Sequence, residues 1–279
     1  MRLLITGTSG FIGKNLKCAL EDEYKLLTPK HSELELTNEN AVKEYFKNNK
    51  IDFIIHCASK GGARGIKDEK TTIEDNLAMV SNLVKFKRDD VRIILFGSGA
   101  MYDKSRDLHK VKEEEIGEVI PKDLYGLSKL KIANLAKLRD DITCLNIFAC
   151  YGYDEKPSRF PSYAIDCVLD NKPIIINQNV TFDYLFVEDM VKIVKYFIKN
   201  KPDDKIINIT PTESTSLIDI ASIVNLLTDN PTGFELKTYE MNKEYTGDNT
   251  LLLKNCKGFK FTLLKEGLKK LYEYKKEQR

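Results

Sequence analysis

Apolar residues in the first half of the chain fall into short blocks separated by longer stretches of helical spacing. Leu3-Leu4-Ile5 runs without a polar break, Gly7-Thr8-Ser9-Gly10-Phe11-Ile12-Gly13 follows, and apolar residues then recur at helical spacing through Leu20. This pattern predicts strand, glycine turn, helix. A short strand over Tyr24–Thr28, a helix over Asn38–Asn48 and the wholly apolar strand Phe53-Ile54-Ile55 repeat the alternation. Strands apolar on both faces, alternating with helices, predict an α/β chain with a doubly wound parallel sheet. A fourth strand, Arg92–Phe96, ends at Gly97-Ser98-Gly99; a helix follows Tyr125, and Cys144–Phe148 supplies another strand. From about Tyr151 the alternation loosens, with Pro157, Pro161, Pro173 and Pro211 punctuating shorter elements, and Lys269–Arg279 reads as a solvated terminal helix. The division expected is a main domain over residues 1–150 that holds the ligand of the glycine turn and, over 151–279, mainly a smaller C-terminal lobe for a second ligand, interleaved with the main domain.

With 279 residues the chain exceeds the usual domain size of roughly 100–150, which suits one large unit with an added lobe. Hydrophobic residues at 42% and charged residues at 31% exclude disordered and collagenous classes. The formal net charge is only +2 and the lysines are spread along the chain, so no nucleic-acid partner is expected, while a small anionic ligand is compatible. Cys18, Cys57, Cys144, Cys150, Cys167 and Cys256 show no CxxC spacing and only His31, His56 and His109 could join them, so reduced thiols and no metal site are expected. The apolar stretch at the N-terminus is too short for a signal peptide. No run approaches the ~18 apolar residues of a membrane span, so neither a membrane association nor a location outside the cytoplasm is expected.

Gly7, Gly10 and Gly13 are spaced three and three in the first strand-to-helix turn. In such a turn glycines allow a tight bend, a close approach of backbone to a pyrophosphate and close packing of helix on strand, with the helix N-terminus facing the anion. A dinucleotide is the ligand this predicts, with Ser9, Phe11 and Ile12 in the same turn. Cofactor choice is read at the end of the second strand, where a carboxylate would bond a ribose 2′-hydroxyl and a cation would accommodate a 2′-phosphate. The residues there are Thr28-Pro29-Lys30-His31, which favours NADP(H); NAD(H) stays possible because Glu33 and Glu35 follow closely.

Tyr125 and Lys129 stand four residues apart, hence on one helix face. With an ordinary pKa of ~10 a tyrosine is a poor acid–base group at neutral pH, and a neighbouring ammonium favours its phenolate. Ser98, at the C-terminal end of the fourth strand, lies where open α/β sheets hold ligands and suits hydrogen bonding to a reacting oxygen.

Taken in order, these pieces resemble the extended short-chain dehydrogenase/reductase family, in its nucleotide-sugar epimerase and reductase branch. The resemblance covers almost the whole chain and rests on Thr6–Gly13, Asp52–Ser59, Phe96–Tyr102, Tyr125-x-x-x-Lys129 and Asp183-Tyr184-Leu185-Phe186-Val187-Glu188-Asp189. The GDP-fucose synthase subgroup is nearest in flavour, through Ser32–Leu36 and Ile51–Gly62. What this implies is a Rossmann domain holding NADP(H), with cofactor loops at Cys57, Ala58, Ser59, Lys60 and Asn76. Tyr125 would donate or accept the proton, Lys129 would bind the nicotinamide ribose, and Ser98 would orient the sugar oxygen while hydride passes between nicotinamide and sugar C4. A homodimer, through the helix carrying Tyr125 and the one near Asn76–Lys87, is also implied.

Departures from the pattern narrow the reading. Ala100, beside Met101, replaces the cysteine that serves epimerisation in GDP-fucose synthase, and an ungapped count places Tyr163 at its partner histidine. Sugar dehydratases carry Asp-Glu where this chain has Gly99-Ala100. Phe182 stands where an arginine often pairs with the substrate diphosphate, and Arg159, with Lys156 nearby, is the candidate substitute. His56, Cys57 and Cys150 read as packing or cofactor-proximal residues, and Glu113-Glu114-Glu115 as a solvated charge run. The expectation is an NADP(H)-dependent reductase of a 4-keto nucleotide sugar; the alternatives are a 4-epimerase with tightly bound NAD and a non-catalytic NADP-binding sensor.

Overall fold

The computed structural model describes residues 1–63 and 65–279. Strands β1 (Arg2–Thr6), β2 (Lys25–Leu27), β3 (Phe53–His56) and β4 (Arg92–Ser98) alternate with helices α1 (Phe11–Leu20), α2 (Glu39–Asn48) and α3 (Thr72–Phe86). β5 (Leu108–Val111) leaves this series, and α4 (Leu124–Lys137) and β6 (Ile142–Ile147) resume it. After β7 (Ala149–Tyr151) come α5 (Phe160–Leu169), β8 (Ile174–Gln178), β9 (Thr181–Phe182), β10 (Tyr184–Phe186), α6 (Val187–Lys199) and β11 (Ile206–Asn208). The chain closes with β12 (Thr215–Ser216), α7 (Leu217–Asn225), β13 (Phe234–Thr238), β14 (Tyr245–Gly247), α8 (Thr250–Asn255) and α9 (Leu264–Glu277).

The main sheet is a Rossmann-type, six-stranded parallel sheet in the order β11-β6-β4-β3-β1-β2. Its strands are apolar on both faces because both are covered. Leu3, Ile5, Phe53, Ile55, Ile94, Phe96 and Leu145 point to the side of α1 and α6. Leu4, Ile54, Ile93, Leu95 and Cys144 point to the side of α2, α3 and α4. The chain winds outward from β1 to β2 and then returns to the other side of β1 as β3. That reversal opens a crevice at the carboxyl ends of β1 and β3, the place where such sheets bind ligands.

The second lobe is built on a four-stranded sheet in the order β12-β9-β14-β5 and on two small pairs, β10 with β7 and β13 with β8. It draws β5 from the first half of the chain, while β11 from the second half returns to the main sheet beside β6. A fully buried carboxylate, Asp183, binds its parts together: Oδ1 accepts from Ser214 Oγ at 2.6 Å and Lys110 Nζ at 3.2 Å, and Oδ2 accepts from Gly247 N at 2.8 Å.

Two expectations are corrected here. The 113–115 segment is not a solvated run throughout, because Glu113 is buried and its Oε1 accepts from Asn208 N at 2.6 Å. Burial raises that carboxyl to about 7. The terminal helix begins at Leu264, earlier than charge content suggests, and buries Gly267, Leu268 and Leu271. Gly267 is a necessity there, since a Cβ would stand 2.1 Å from the Tyr151 hydroxyl.

Candidate active site

The glycine turn closes on itself through Gly10 N to Gly7 O at 3.0 Å. Gly7 has φ +69°, and a Cβ on it would lie 2.6 Å from the Ala58 backbone nitrogen. A Cβ on Gly13 would lie 2.3 Å from Gly7 O, so α1 sits directly against the turn. Helices α2 and α4 have side-chain caps, Asn38 Oδ1 accepting from Ala41 N and Asp123 Oδ1 from Gly126 N. α1 has none: Gly10 caps it and offers no side-chain acceptor. α3, α5, α6, α8 and α9 lack one as well, but only at α1 does the helix start follow the glycine turn, where its N–H groups and positive dipole end suit an anion.

A cavity of about 710 Å³ opens over this turn. Thr6 to Gly10 form its floor, Cys57 to Lys60 one wall, and Pro29, Lys30, His31 and Leu34 to Thr37 another. The three-glycine cradle, the uncapped helix and the size of the space fit a nicotinamide dinucleotide, whose pyrophosphate would rest on the N–H groups. Phe11, Ile12 and Gly13 do not line the cavity: the Phe11 and Ile12 side chains pack against the core and Gly13 is buried against the turn. At the far wall His31 pairs with Glu35 (Nε2 to Oε2, 2.7 Å), and Glu35 Oε1 also accepts from Thr37 N and Oγ1. Glu35 is thus occupied by its own loop.

Two residues expected at the cofactor are otherwise engaged. Lys60 lines the cavity, but its ammonium pairs with Asp75 and Glu69, each at 2.8 Å. Asn76 does not border the cavity. Buried behind the loop, its amide accepts from Lys60 N and donates to Lys60 O and Ser128 Oγ, which braces the wall rather than touching a ligand. His56 accepts or donates at Nδ1 with Thr6 Oγ1, 2.8 Å away, and burial, reinforced by the Lys129 ammonium, lowers it to about 3. It is neutral and no general base. Burial also pushes the Cys57 thiol up, so it stays protonated.

A second cavity, of about 860 Å³, adjoins the first across the 60–62 segment and contains Ser98 and Tyr125. Ser98 ends β4, and its Oγ accepts from Ala100 N at 3.2 Å. Tyr125 lies in the first turn of α4, where Gly126 allows close approach: a Cβ there would stand 2.6 Å from Ala100 O. The Tyr125 ring lies flat against Gly62, at φ +73°, and Asp68 ties the two by accepting from Gly62 N at 2.8 Å and Tyr125 N at 2.9 Å. Lys129, one turn on, is buried with Nζ 5.4 Å from the Tyr125 ring centre and donating to Phe96 O at 2.8 Å. The structure therefore brings Ser98, Tyr125 and Lys129 together at the carboxyl end of β4.

Of the residues expected to meet substrate, Ala100, Arg159 and Phe182 line this cavity. Met101 does not: the short helical turn after Ser98 folds it wholly into the core between sheet and α4. Tyr163 does not either, because from Arg159 the helix α5 turns it aside, and its hydroxyl accepts from Ile175 N at 3.1 Å. Arg159, at the start of that helix, is the residue that reaches the cavity. Lys67, Lys104, Lys122 and Lys243 line the same cavity alongside Asp68, Asp123, Glu155 and Glu244, and Lys104 pairs with Asp123 at 3.3 Å. Cys150 also lines the space, its thiol pushed up by burial.

Sequence reading missed three participants. Tyr245 stands beside Ser98 between the rings of Phe148 (5.2 Å) and Phe182 (5.8 Å). Glu155 lines the cavity, buried, with Oε1 accepting from Ser162 N and the carboxyl raised to about 7 by burial. Asp68 clamps Tyr125. None carries a local motif, although the glycine pair Gly61-Gly62 marks where Asp68's loop must bend. Among the described residues no group of acidic, histidine or cysteine side chains is arranged to hold a metal ion, and no helix is long and apolar enough to cross a membrane.

Residues 3–210 match the sequence profile of the NAD dependent epimerase/dehydratase family. A GDP-L-colitose synthase of Yersinia pseudotuberculosis is 28% identical over 225 residues, spanning 72% of this chain and 73% of that protein. Among solved structures, a GDP-L-fucose synthetase of Naegleria fowleri bound to NADP superposes with TM-score 0.85 at 15% identity, over 99% of this chain and 93% of that one. A GDP-6-OMe-4-keto-L-xylo-heptose reductase of Campylobacter jejuni does so with TM-score 0.81 at 19% identity, over 100% and 98%.

Proposed function

Because the chain belongs to the NAD dependent epimerase/dehydratase family, we propose that it reduces the 4-keto group of a nucleotide-linked sugar with NADPH, producing the 4-hydroxy sugar stereospecifically. The observation that carries this reading is the content of the second cavity. At the end of β4 it brings the hydroxyls of Ser98 and Tyr125 together beside Lys129, and two residues after Ser98 it has Ala100, which carries no proton to transfer.

A nicotinamide dinucleotide held over the Gly7–Gly10 turn would supply hydride to sugar C4. Tyr125, at the cavity wall and backed by Lys129, delivers the proton to the developing alkoxide, and Ser98 hydrogen-bonds the same oxygen and fixes its position. The Asp68 clamp and Gly62 hold the Tyr125 ring in one orientation, so little reorganisation is needed when the substrate enters. Arg159 and Lys122 offer cations for the diphosphate, a guanidinium suiting phosphate oxygens in pairs. A GDP carrier is favoured by the GDP-sugar enzymes among the relatives. For the cofactor, Lys30 at the cavity rim and the engagement of Glu35 by Thr37 and His31 favour a 2′-phosphate, hence NADPH. A homodimer in the cytoplasm completes the reading.

The test is NADPH oxidation by the purified protein against 4-keto-6-deoxy sugars on GDP, dTDP, CDP and UDP, with NADH alongside. Rapid oxidation with GDP-linked substrate is expected. A 4-epimerase would use the same Ser98, Tyr125 and Lys129, so purified protein carrying tightly bound NAD and interconverting 4-epimers, without net NADPH consumption, would replace the reductase reading.

A further inference from the structure

The geometry points to Asp68 as a positioning residue for the proposed proton donor: from a loop on the sugar cavity it caps the first turn of α4 and so holds Tyr125 in a fixed place beside the wall shared by the two cavities. This rests on the proposed carbonyl reduction and adds to it a residue that acts through Tyr125.

Tyr125 is the second residue of α4. The first N–H groups of a helix have no partner inside it, so a first turn frays unless groups outside the helix bond them. Asp123, the capping residue, accepts from Gly126 N at 2.9 Å. The Tyr125 N–H is taken by Asp68 Oδ2 at 2.9 Å, a second cap delivered from 57 residues earlier. Asp68 Oδ1 accepts from Gly62 N at 2.8 Å, so each oxygen holds one backbone donor and the carboxyl links helix to loop. The linked segment is the one between the cavities, with Lys60 on the cofactor side and Gly62 on the sugar side. Asn76 anchors its other end by bonding both Lys60 N and Lys60 O. Two glycines make the link possible. Gly61 has φ +84°, and a Cβ on it would stand 2.7 Å from Asp68 Oδ1 and 2.9 Å from Thr72 Cγ2. A Cβ on Gly62 would stand 2.8 Å from Cε1 and 2.9 Å from Cδ1 and Cε2 of the Tyr125 ring, so the loop supports the ring face directly. Proton transfer needs the phenol within about 2.6–3.2 Å of the sugar oxygen, a reach that a frayed first turn would lose. Neither ligand uses the Tyr125 N–H, so the cost of losing this cap falls on turnover.

The experiment measures keto-sugar reduction by the full chain as wild type, Asp68→Ala, Asp68→Asn, Tyr125→Phe and the double variant of Asp68→Ala with Tyr125→Phe, with the NADPH Kd read by fluorescence. Asp68→Ala lowers kcat about tenfold while the NADPH Kd stays within about twofold. Asp68→Asn keeps the shape and one acceptor oxygen, so its loss is smaller, and it carries the same comparison should Asp68→Ala fail to fold. In the Tyr125→Phe background Asp68→Ala costs less than about twofold more, since a residue acting through the phenol has nothing left to position. A merely structural role would give the same loss in both backgrounds. That result, an unchanged kcat, or a loss confined to KM overturns the assignment. If the wild type reduces no keto sugar, the reductase reading fails by itself, and amide hydrogen exchange decides the clamp. Exchange at Gly62 and Tyr125 about tenfold faster in Asp68→Asn than in wild type supports it, and unchanged exchange overturns it.

Discussion

Replacing Gly13 by alanine is the most direct check on the cofactor cradle. The added methyl carbon would lie 2.3 Å from Gly7 O, 2.8 Å from Gly7 C and 2.9 Å from Thr8 Cα. The first of these is about 1 Å inside ordinary contact, and all three atoms are backbone, so no side chain can swing away. Relief requires α1 to retreat from β1, yet Leu16 and Leu20 on that helix are fully buried against the sheet. Overpacking of this kind costs about 1–3 kcal/mol of stability. The same retreat carries the free N–H groups of α1 away from the pyrophosphate. Losing two hydrogen bonds to a charged group, at about 1.5–3 kcal/mol each, weakens NADPH by about 100-fold or more. Gly10→Ala is the control. Its Cβ meets nothing closer than 3.4 Å, and at φ −87° alanine is unstrained. Its stability should stay within about 1 kcal/mol of wild type, while the methyl intrudes on the cavity and raises the NADPH Kd about tenfold. Kd is read from NADPH fluorescence and stability from urea unfolding. A folded Gly13→Ala protein that binds NADPH within twofold of wild type would refute the assignment of this turn to the pyrophosphate.

Tyr125→Phe should lower turnover by about 10²–10⁴-fold while leaving the NADPH Kd unchanged, and equal loss of both in the same titrations would remove Tyr125 from the proton-transfer role. Lys30→Glu should shift the ratio of kcat/KM for NADPH over NADH down by about tenfold, since it exchanges an attractive charge for a repulsive one at the cofactor rim; an unchanged ratio means that the 2′-phosphate is read elsewhere. Glu113 and Glu155 predict a pH dependence of stability. Each carboxyl is raised from 4.5 to about 7 by burial, so the folded chain binds protons more tightly than the unfolded one. Stability is then fully present below about 4.5 as far as these groups go, falls as pH rises through 4.5–7, and stays lowered above. Urea midpoints between pH 5 and 8 should show this fall, by about 1–3 kcal/mol per group, and Glu113→Gln should flatten part of it; a Glu113→Gln profile parallel to wild type would mean that Glu113 is already ionised in the fold.

Local pattern is sufficient for the central strands because β1, β3 and β4 are buried on both faces and read as apolar blocks. β1, β3 and β4 can be named from Leu3-Leu4-Ile5, Phe53-Ile54-Ile55 and Arg92–Phe96, with errors only at their ends. The glycine turn is legible for a related reason: Gly13 answers contacts with Gly7 and Thr8 inside the same strand-turn-helix unit and its spacing records them, although Gly7 also makes room for the distant Cys57–Ala58 backbone. Tyr125 and Lys129 lie one helical turn apart, so their adjacency is also local.

What escapes is whatever depends on contacts between distant segments. Met101 and Tyr163 sit close in sequence to true cavity residues, but the turn after Ser98 and the phase of α5 decide which side chains face the cavity, and both turn away. Glu113 looks like solvent-exposed charge until β11 returns 95 residues later and offers the Asn208 N–H. Asp68 becomes a clamp on Tyr125 across 57 residues, and Tyr245 comes over Gly99 only because the second lobe folds β14 against the end of β4. The central strands, the glycine turn and the Tyr125–Lys129 pair are each written in residues a few positions apart, so the order of amino acids is enough to find them. Which side chains surround the sugar, and how they are oriented, is settled by the folded chain alone, because that wall is assembled from loops whose approach no local spacing encodes.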